Sequence, residues 1–408
     1  MSRNESAGSV EYEAESTWGE ATTTYATRLA VLDAVDLSGF TQDAIDPARV
    51  TQYRGERTMK IRGVQQGQFS IRLWLAGHGS TTAGATSATA LGNLLANAIG
   101  TIPSAPSGTT LTGSTDADTW TTTASATFTA GMVCFLGALG DTDGEGQAYP
   151  ITSHVTTTME VAVAAAGAPI NAAVLYSAEN IHPDPDAAAT LTSTRWRFMT
   201  GNQQIEAHGC FPTGISYQTP LGQPWSVTIT YQASWWASVS NTFPTATAVN
   251  EFNPAPAAAG SFTLEAHGTT TRTTYAIRSL SINHDLNIVP LIGIGGLNAN
   301  QTIVGAVRGG NEMLTVDLTV DAQTASATPT LPGLWDSDTQ YYHSMITANG
   351  AATGKKVALY LRKCYFSGTK PQQIRDGGIN RWRFQLTACV DTAGSTDITR
   401  APYVWALG

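Results

Sequence analysis

At 408 residues the chain is long enough for two or three domains and a large buried core. Only 13% of it is charged, against about 25% in ordinary globular domains, and Thr, Ser, Ala and Gly stand where Lys and Glu usually do. The balance of 22 Lys and Arg against 31 Asp and Glu leaves a net charge of −9, which argues against a generic phosphate-binding surface.

This composition favours strands and turns over long helices. A surface so poor in charge implies that much of it is covered by other subunits. The four cysteines, Cys134, Cys210, Cys364 and Cys389, form no CxxC and no zinc-type spacing, so they read as buried thiols in a reducing cytosol. The opening MSRNESAGSVEYEAES is polar and acidic, unlike a signal peptide. No apolar run approaches the roughly 20 residues of a membrane span. The expectation is a protein made and folded in the cytoplasm, with no membrane partner.

The first strong alternation lies at Gln68–Leu75, where Phe69, Ile71, Leu73 and Leu75 share one face and Gln68, Ser70 and Arg72 the other. A helix is predicted over SATALGNLLANAIG, with Leu91, Leu94, Leu95 and Ala98 on one face and Gly100 as its stop. TTLTGS, DTWTTT, ATFTAGMVCFLG, QAYPITS and TTTMEVAVAA then follow as short strands between Gly and Asp turns. After CFPTG (210–214), Trp225, Val227, Ile229 and Tyr231 alternate with Ser226, Thr228 and Thr230. The Pro- and Ala-rich stretch 241–260 reads as a linker. Beyond it Leu314, Val316, Leu318 and Val320 alternate with Thr315, Asp317 and Thr319. A second helix is predicted over WDSDTQYYHSMITANG, capped by Asp336 or Ser337, facing the core with Tyr342, Met345 and Ile346, and ended by Asn349-Gly350. CYFSG (364–368) and a closing strand of Trp382, Phe384 and Leu386, alternating with Arg383, Gln385 and Thr387, complete the pattern.

Strand, helix, Cys-aromatic segment and Trp-led strand thus occur twice in the same order, which predicts a duplicated domain. The first copy carries a long excess between Gly100 and Cys210 that the second lacks between Gly350 and Cys364. The expected fold is mainly β: two antiparallel β-sandwich or barrel domains, each with one flanking helix, plus a small inserted β module. The first domain comprises 1–100 and 191–240, the insert 101–190, the linker 241–260 and the second domain 261–408. The insert is expected to project outward, so that joining Gly100 to Thr190 leaves a foldable core.

The opening VEYEAESTWG, and TFTAGMVCFLG, DGEGQAYPITS and TTTMEV in the insert, resemble the major tail (tail tube) proteins of siphophage-type long-tailed bacteriophages. The resemblance covers most of the chain as a pattern of segments rather than one specific motif. It implies a structural subunit of the virion tail that stacks as rings around a lumen conducting DNA. It implies as partners other copies of the chain, the tape measure protein, transiently DNA, and the tail terminator and distal tail proteins. Rings of that family present six tube domains, so a two-domain chain implies a trimer with pseudo-six-fold symmetry. Trp225/Val227/Ile229 and Trp382/Phe384/Leu386 are then expected in the buried layer. Ser226/Thr228/Thr230 and Arg383/Gln385/Thr387 become candidates for the lumen, with a carboxylate expected near Arg383.

Motifs that would carry chemistry are weak. DTDGEG (141–146) has the opening of a calcium loop, but Thr152 stands where the loop needs Glu. His208 and Cys210 face the same way on a strand, a pattern commoner for a packed thiol than for a nucleophile. GIGG (293–296) lacks the spacing of a phosphate loop, and Asp184/Asp186 lie in a Pro-rich loop. The chain is therefore expected not to be an enzyme, with no catalytic, cofactor-binding or metal-binding residues assigned and no cofactor. The alternative is a virion-surface or secreted carbohydrate-binding or depolymerising β-protein, for which Trp235-Trp236 and Tyr341-Tyr342 would be sugar platforms. A capsid or decoration protein would carry a long helix and a basic face, which the sequence lacks.

Overall fold

Strands dominate the computed structural model, which describes residues 9–20, 25, 27–45, 61–76, 89–101, 109–123, 128–137, 148–162, 173–176, 178–183, 191–200, 203–220, 223–239, 249–250, 259–270, 273–293, 301, 303–309, 312–321, 331–335, 341–349, 356–376 and 378–408. The first part of the chain forms β1 (Ser9–Ala14), β2 (Thr27–Leu29), β3 (Thr41–Ile45), β4 (Ile61–Trp74) and α1 (Ala90–Ile99). Then come β5 (Thr109–Ser114), β6 (Thr119–Thr122), β7 (Val133–Gly137), β8 (Ala148–Val155), β9 (Thr158–Val161) and β10 (Val174–Tyr176). β11 (Glu179–Ile181), β12 (Thr194–Thr200), β13 (Gln203–Gln218), β14 (Ser226–Ala233), β15 (Trp235–Val239) and β16 (Val249–Asn250) follow. The last part holds β17 (Ala259–Ala266), β18 (Thr274–Asp285), β19 (Ile288–Ile292), β20 (Ile303–Arg308), β21 (Met313–Asp321) and α2 (Leu331–Trp335). It ends with β22 (Tyr342–Asn349), β23 (Lys356–Asp376), β24 (Ile379–Ala388), α3 (Asp397–Arg400) and β25 (Tyr403–Leu407).

The protein is mainly β and its sheets are antiparallel, apart from the two-residue parallel pairing of β16 with β2. In the later half, β17, β18, β21, β24, β23 and β22 pair in that order and β22 returns to β17, closing a ring of strands. The earlier half follows the same order with β1, the 27–45 segment, β4, β14, β13 and β12. There the segment reaches β1 through β2, and Leu32 N–H and Gly39 C=O bond to Arg72 and Gln68 of β4. Even the opening strands correspond, SVEYEA at Ser9–Ala14 and SFTLEA at Ser261–Ala266, each ending in Glu-Ala. The hairpins match too: β3 with the start of β4 in one half, β19 with β20 in the other.

The alternating residues pack as their period demands. Phe69, Ile71, Leu73, Val227, Ile229 and Tyr231 are buried in the main core together with Leu314, Val316, Leu318, Val320, Phe384 and Leu386, while Trp382 packs partly buried against it. Helix α1 lays Leu91, Leu94, Leu95 and Ala98 on the same core. Its cap is Thr89, whose hydroxyl accepts from Gly92 N–H at 3.0 Å and donates to Glu179 Oε2 at 2.7 Å. A carboxylate at this end also suits the helix dipole. Gly92 gives the carboxylate room, since a Cβ there would stand 2.3 Å from Glu179 Oε2 and push that side chain aside.

The second predicted helix is a correction. Residues 342–349 form β22, and the short helix α2 lies before them; Asp336 and Ser337 lie outside the described residues. Tyr342 and Ile346 face the main core, whereas Met345 faces a second one. The strand is covered on both faces and buries its polar residues His343, Ser344 and Thr347 with its apolar ones, while Tyr342, Met345 and Ile346 fell by chance at helical spacing.

That second core belongs to a closed six-strand barrel, β10-β5-β6-β9-β8-β7. It buries Trp120, Phe135, Tyr149 and Met159 together with Met345, Ala358, Tyr360, Val404 and Ala406, which are the outer faces of β22, β23 and β25. The barrel ends at Tyr176; Glu179–Ile181 pairs instead with Trp405–Leu407 of β25. Asn180 fastens the barrel by accepting from Val133 N–H at 2.7 Å and donating to Val133 C=O at 3.2 Å. The barrel therefore lies on the later half instead of projecting, and joining Gly100 to Thr190 would uncover this apolar wall and remove β11. Phe135→Ala, which hollows the shared core beside Gly408, should cost about 3–5 kcal/mol. Urea unfolding followed by far-UV circular dichroism and by tryptophan fluorescence should show one transition shifted as a whole; separate transitions for barrel and body would contradict a shared core.

Candidate functional site: a continuous polar sheet face

Directly opposed residues of neighbouring antiparallel strands share a face. One such row crosses both halves. Ser70 lies opposite Thr230 and Arg72 opposite Thr228, Thr228 lies opposite Ser216, and Ser216 lies opposite Asn283 of the later half. Asn283 lies opposite Thr315, and Thr315 opposite Thr387. Every member is a hydroxyl, an amide or the ion-paired Arg72. The two candidate lumen sets, Ser226/Thr228/Thr230 and Arg383/Gln385/Thr387, thus lie on one face of one sheet, although Ser226 and Thr387 are buried in it.

Charge on this face is matched locally. Arg72 pairs with Asp33 at 2.9 Å, donates to Ser226 Oγ at 3.2 Å and to Gln218 Oε1. Arg278 holds Asp321 at 2.6 Å, and Arg381 approaches the same carboxylate at 3.3 Å. The hydrogen bond from Arg278 holds the Asp321 carboxyl below its usual range. Asp317 accepts from Asn283 and from Gln385, both at 3.1 Å. Arg383 is exposed, and among the described residues no carboxylate lies in ion-pair range of it, contrary to expectation; Asp321 on the same face serves Arg278 and Arg381. A cleft of about 460 Å³ opens on the face beside Asp33, Asp36, Gln68, Ser70, Arg72 and Thr228.

The face is continuous because the halves are joined beneath it. Ile215 and Ser216 of β13 pair with His284 and Asn283 of β18, and Thr219 Oγ1 donates to Leu280 C=O at 2.7 Å. Under this joint Tyr403 Oη meets His284 Nε2 at 2.6 Å, Tyr217 Oη lies 3.3 Å from His284 Nδ1, and Glu312 bonds to both Tyr403 and His284. Burial pushes the Tyr217 and Tyr403 phenols far up, so both stay protonated. Arg308 extends the joint by donating to the Ala98 and Asn97 carbonyls at the end of α1, where the helix dipole favours a cation. Sequence reasoning missed all of these residues. Their only signal was a tyrosine and a histidine at apolar positions of alternating strands.

The chemical candidates disperse. Burial drives the His208 imidazole down to about 4 and the Cys210 thiol well up, while Trp235 stacks on His208 at 4.1 Å. A protonated, fully buried thiol is not an activated nucleophile, and no hydrogen bond joins it to His208. Cys134 and Cys364 are likewise buried with raised values, and Cys389 is half-buried. Tyr342 and Trp235 are buried and cannot be sugar platforms; Trp236 donates to Thr41 C=O, and exposed Tyr341 is covered by Lys363 at 4.3 Å. DTDGEG (141–146), Asp184, Asp186 and 294–296 lie outside the described residues, while Gly293 follows β19. Among the described residues no group of His, Cys, Asp and Glu could hold a metal, and no helix is long and apolar enough to cross a membrane.

Acid should loosen this fold. Burial also lowers His343 to about 4. For a histidine depressed from 6.5, stability is full above pH 6.5 and is lost as pH falls towards 4, because only the unfolded chain takes up the proton. Each histidine contributes on the order of 3 kcal/mol across that window. Glu15, 3.8 Å from His208 and raised by burial, acts in the opposite sense and offsets part of the loss. Urea midpoints should therefore drop between pH 7 and 4.5, and His208→Gln with His343→Gln should flatten the drop. In comparison with known proteins, the chain matches no family model and no curated protein sequence.

Proposed function

We propose that the chain is a structural, non-enzymatic subunit of a tube of the kind that long-tailed bacteriophages build as their tail. Its copies would stack as rings around a lumen that conducts DNA. The observation that carries this reading is the row from Ser70 to Thr387, one polar face, its charge matched except at Arg383, running unbroken across two halves of the same strand order. Two tube domains per chain make the ring a trimer with pseudo-six-fold symmetry, and the face becomes its lining. Hydroxyls and amides there offer phosphate no concentrated positive charge, and the net −9 of the chain repels it, so DNA slides without sticking. The tape measure protein would occupy the lumen before DNA, and tail terminator and distal tail proteins would bind the tube's ends. The working location is the virion tail, after synthesis in the bacterial host cytoplasm.

The test is assembly plus a change of lining. Negative-stain microscopy of concentrated protein should show three-fold rings or stacked tubes; a monodisperse monomer under all conditions would sink the reading. Thr228→Lys with Thr315→Lys places cations on the half-buried row without touching the core. Tubes of that variant should retain DNA in a filter assay about tenfold more strongly at low salt, and the gain should vanish at high salt. An unchanged affinity would mean that the face does not meet the lumen.

A further inference from the structure

The joint between the halves is made from parts that each half owns. The earlier half contributes the edge of β13 around Ile215 and Ser216 and the end of α1. The later half contributes the edge of β18 and the β19–β20 hairpin with Arg308. The shared strand order assigns each part a counterpart. Ser216 lies opposite Thr228, whose neighbour is Arg72; Ser367 lies opposite Gln385, whose neighbour is Asp317. The counterpart of the β13 edge is thus β23 from Ser367 onwards. The counterpart of β18 and its hairpin is the segment from Leu32 to Ile45 with the start of β4.

Both counterparts keep an open side. From Tyr365 to Asp376, β23 pairs with β24 alone, and β3 pairs with β4 alone, among the described residues. Open strand edges invite further pairing. The two edges also differ in charge: Arg375 is exposed on one, Asp36 on the other. Each edge is unlike itself and complementary to the other, which specifies head-to-tail association of identical chains. The internal β13–β18 joint shows the geometry that such an association would take.

We propose that the Ser367–Asp376 edge of one chain docks on the Leu32–Ile45 edge of a second copy, repeating between chains the joint that links the halves within one. The polar row then continues from chain to chain. This assignment rests on the tube-subunit reading only for closure into a ring. Between Leu32 and Gly39 the segment bows away from β4, since Arg72 and Gln68 are four residues apart and their partners seven. Docking would draw the bowed stretch into a regular strand.

Disulfide trapping tests it in the full chain with Cys389→Ser, the other native thiols being buried. Ser367→Cys is mixed in turn with chains carrying Ala34→Cys, Asp36→Cys or Ser38→Cys, and mildly oxidised. Ser216→Cys with Asn283→Cys in one chain is the positive control, since those residues face each other across the internal joint. The expected result is a covalent dimer from at least one mixture, none from any variant alone, and a ladder ending at a closed ring when both thiols share a chain. Trapping of one variant with itself overturns the head-to-tail pairing. Rings in the microscope without trapping in any mixture overturn the edge assignment while leaving the tube reading standing. A persistent monomer that never traps overturns both.

Discussion

Two opposed residue pairs, Ile215 with His284 and Ser216 with Asn283, decide whether this protein is one surface or two. So short a ladder would contribute little by itself, since a net hydrogen bond is worth only about 1 kcal/mol. Its strength comes from the buried side chains below it. Tyr217, His284, Tyr403 and Glu312 come from four separate segments and satisfy one another. A carboxylate taken out of water is costly unless it is bonded, and removing one partner of such a group costs about 3–5 kcal/mol. The cluster therefore fixes orientation as well as contact: a slip at the joint would strip Glu312 of its Tyr403 and His284 partners and leave it Arg308 alone.

The barrel reinforces the joint from the opposite side. It is inserted between α1 and β12 of the earlier half, yet its core is completed by Met345, Tyr360, Val404 and Ala406 of the later half. Glu179, just after the barrel, accepts from Thr89, the cap of α1, and the strand it begins pairs with β25. One connection thus ties the helix of one half, the barrel, and the closing strand of the other half. Strands β22, β23 and β25 carry apolar residues on both faces because they wall two cores at once. That arrangement places the barrel's apolar mass against β22, β23 and β25 and away from the polar row.

Low charge has a consistent physical role throughout. Where Arg appears on the polar face it is mostly consumed locally, Arg72 by Asp33, and Arg278 and Arg381 by Asp321. Inside, Arg197 is held by Glu11 at 2.9 Å and lies over Tyr25 at 4.0 Å. The exposed Arg383 is the exception on the face.

Local sequence determined what short-range physics controls. Period-two alternation placed Phe69, Ile71, Leu73, Val227, Ile229, Val316 and Leu318 in the core, and the stretch ending at Gly100 gave helix α1 with its stop. The mainly β, antiparallel class followed from the same signals. Alternation failed at Tyr342–Asn349, because a strand buried on both faces carries apolar residues on each of them, Tyr342 and Ile346 on one and Met345 on the other, with polar residues mixed between. It also could not announce that the segment around Glu179 leaves the barrel for the main sheet, since a three-residue strand carries no periodicity. Only the tertiary structure brought together Tyr217, His284, Glu312 and Tyr403, which stand up to 186 positions apart in the chain. Their pairing depends on which strand edges meet, and strand order is set by the global closure of the sheets rather than by any residue's neighbours in sequence.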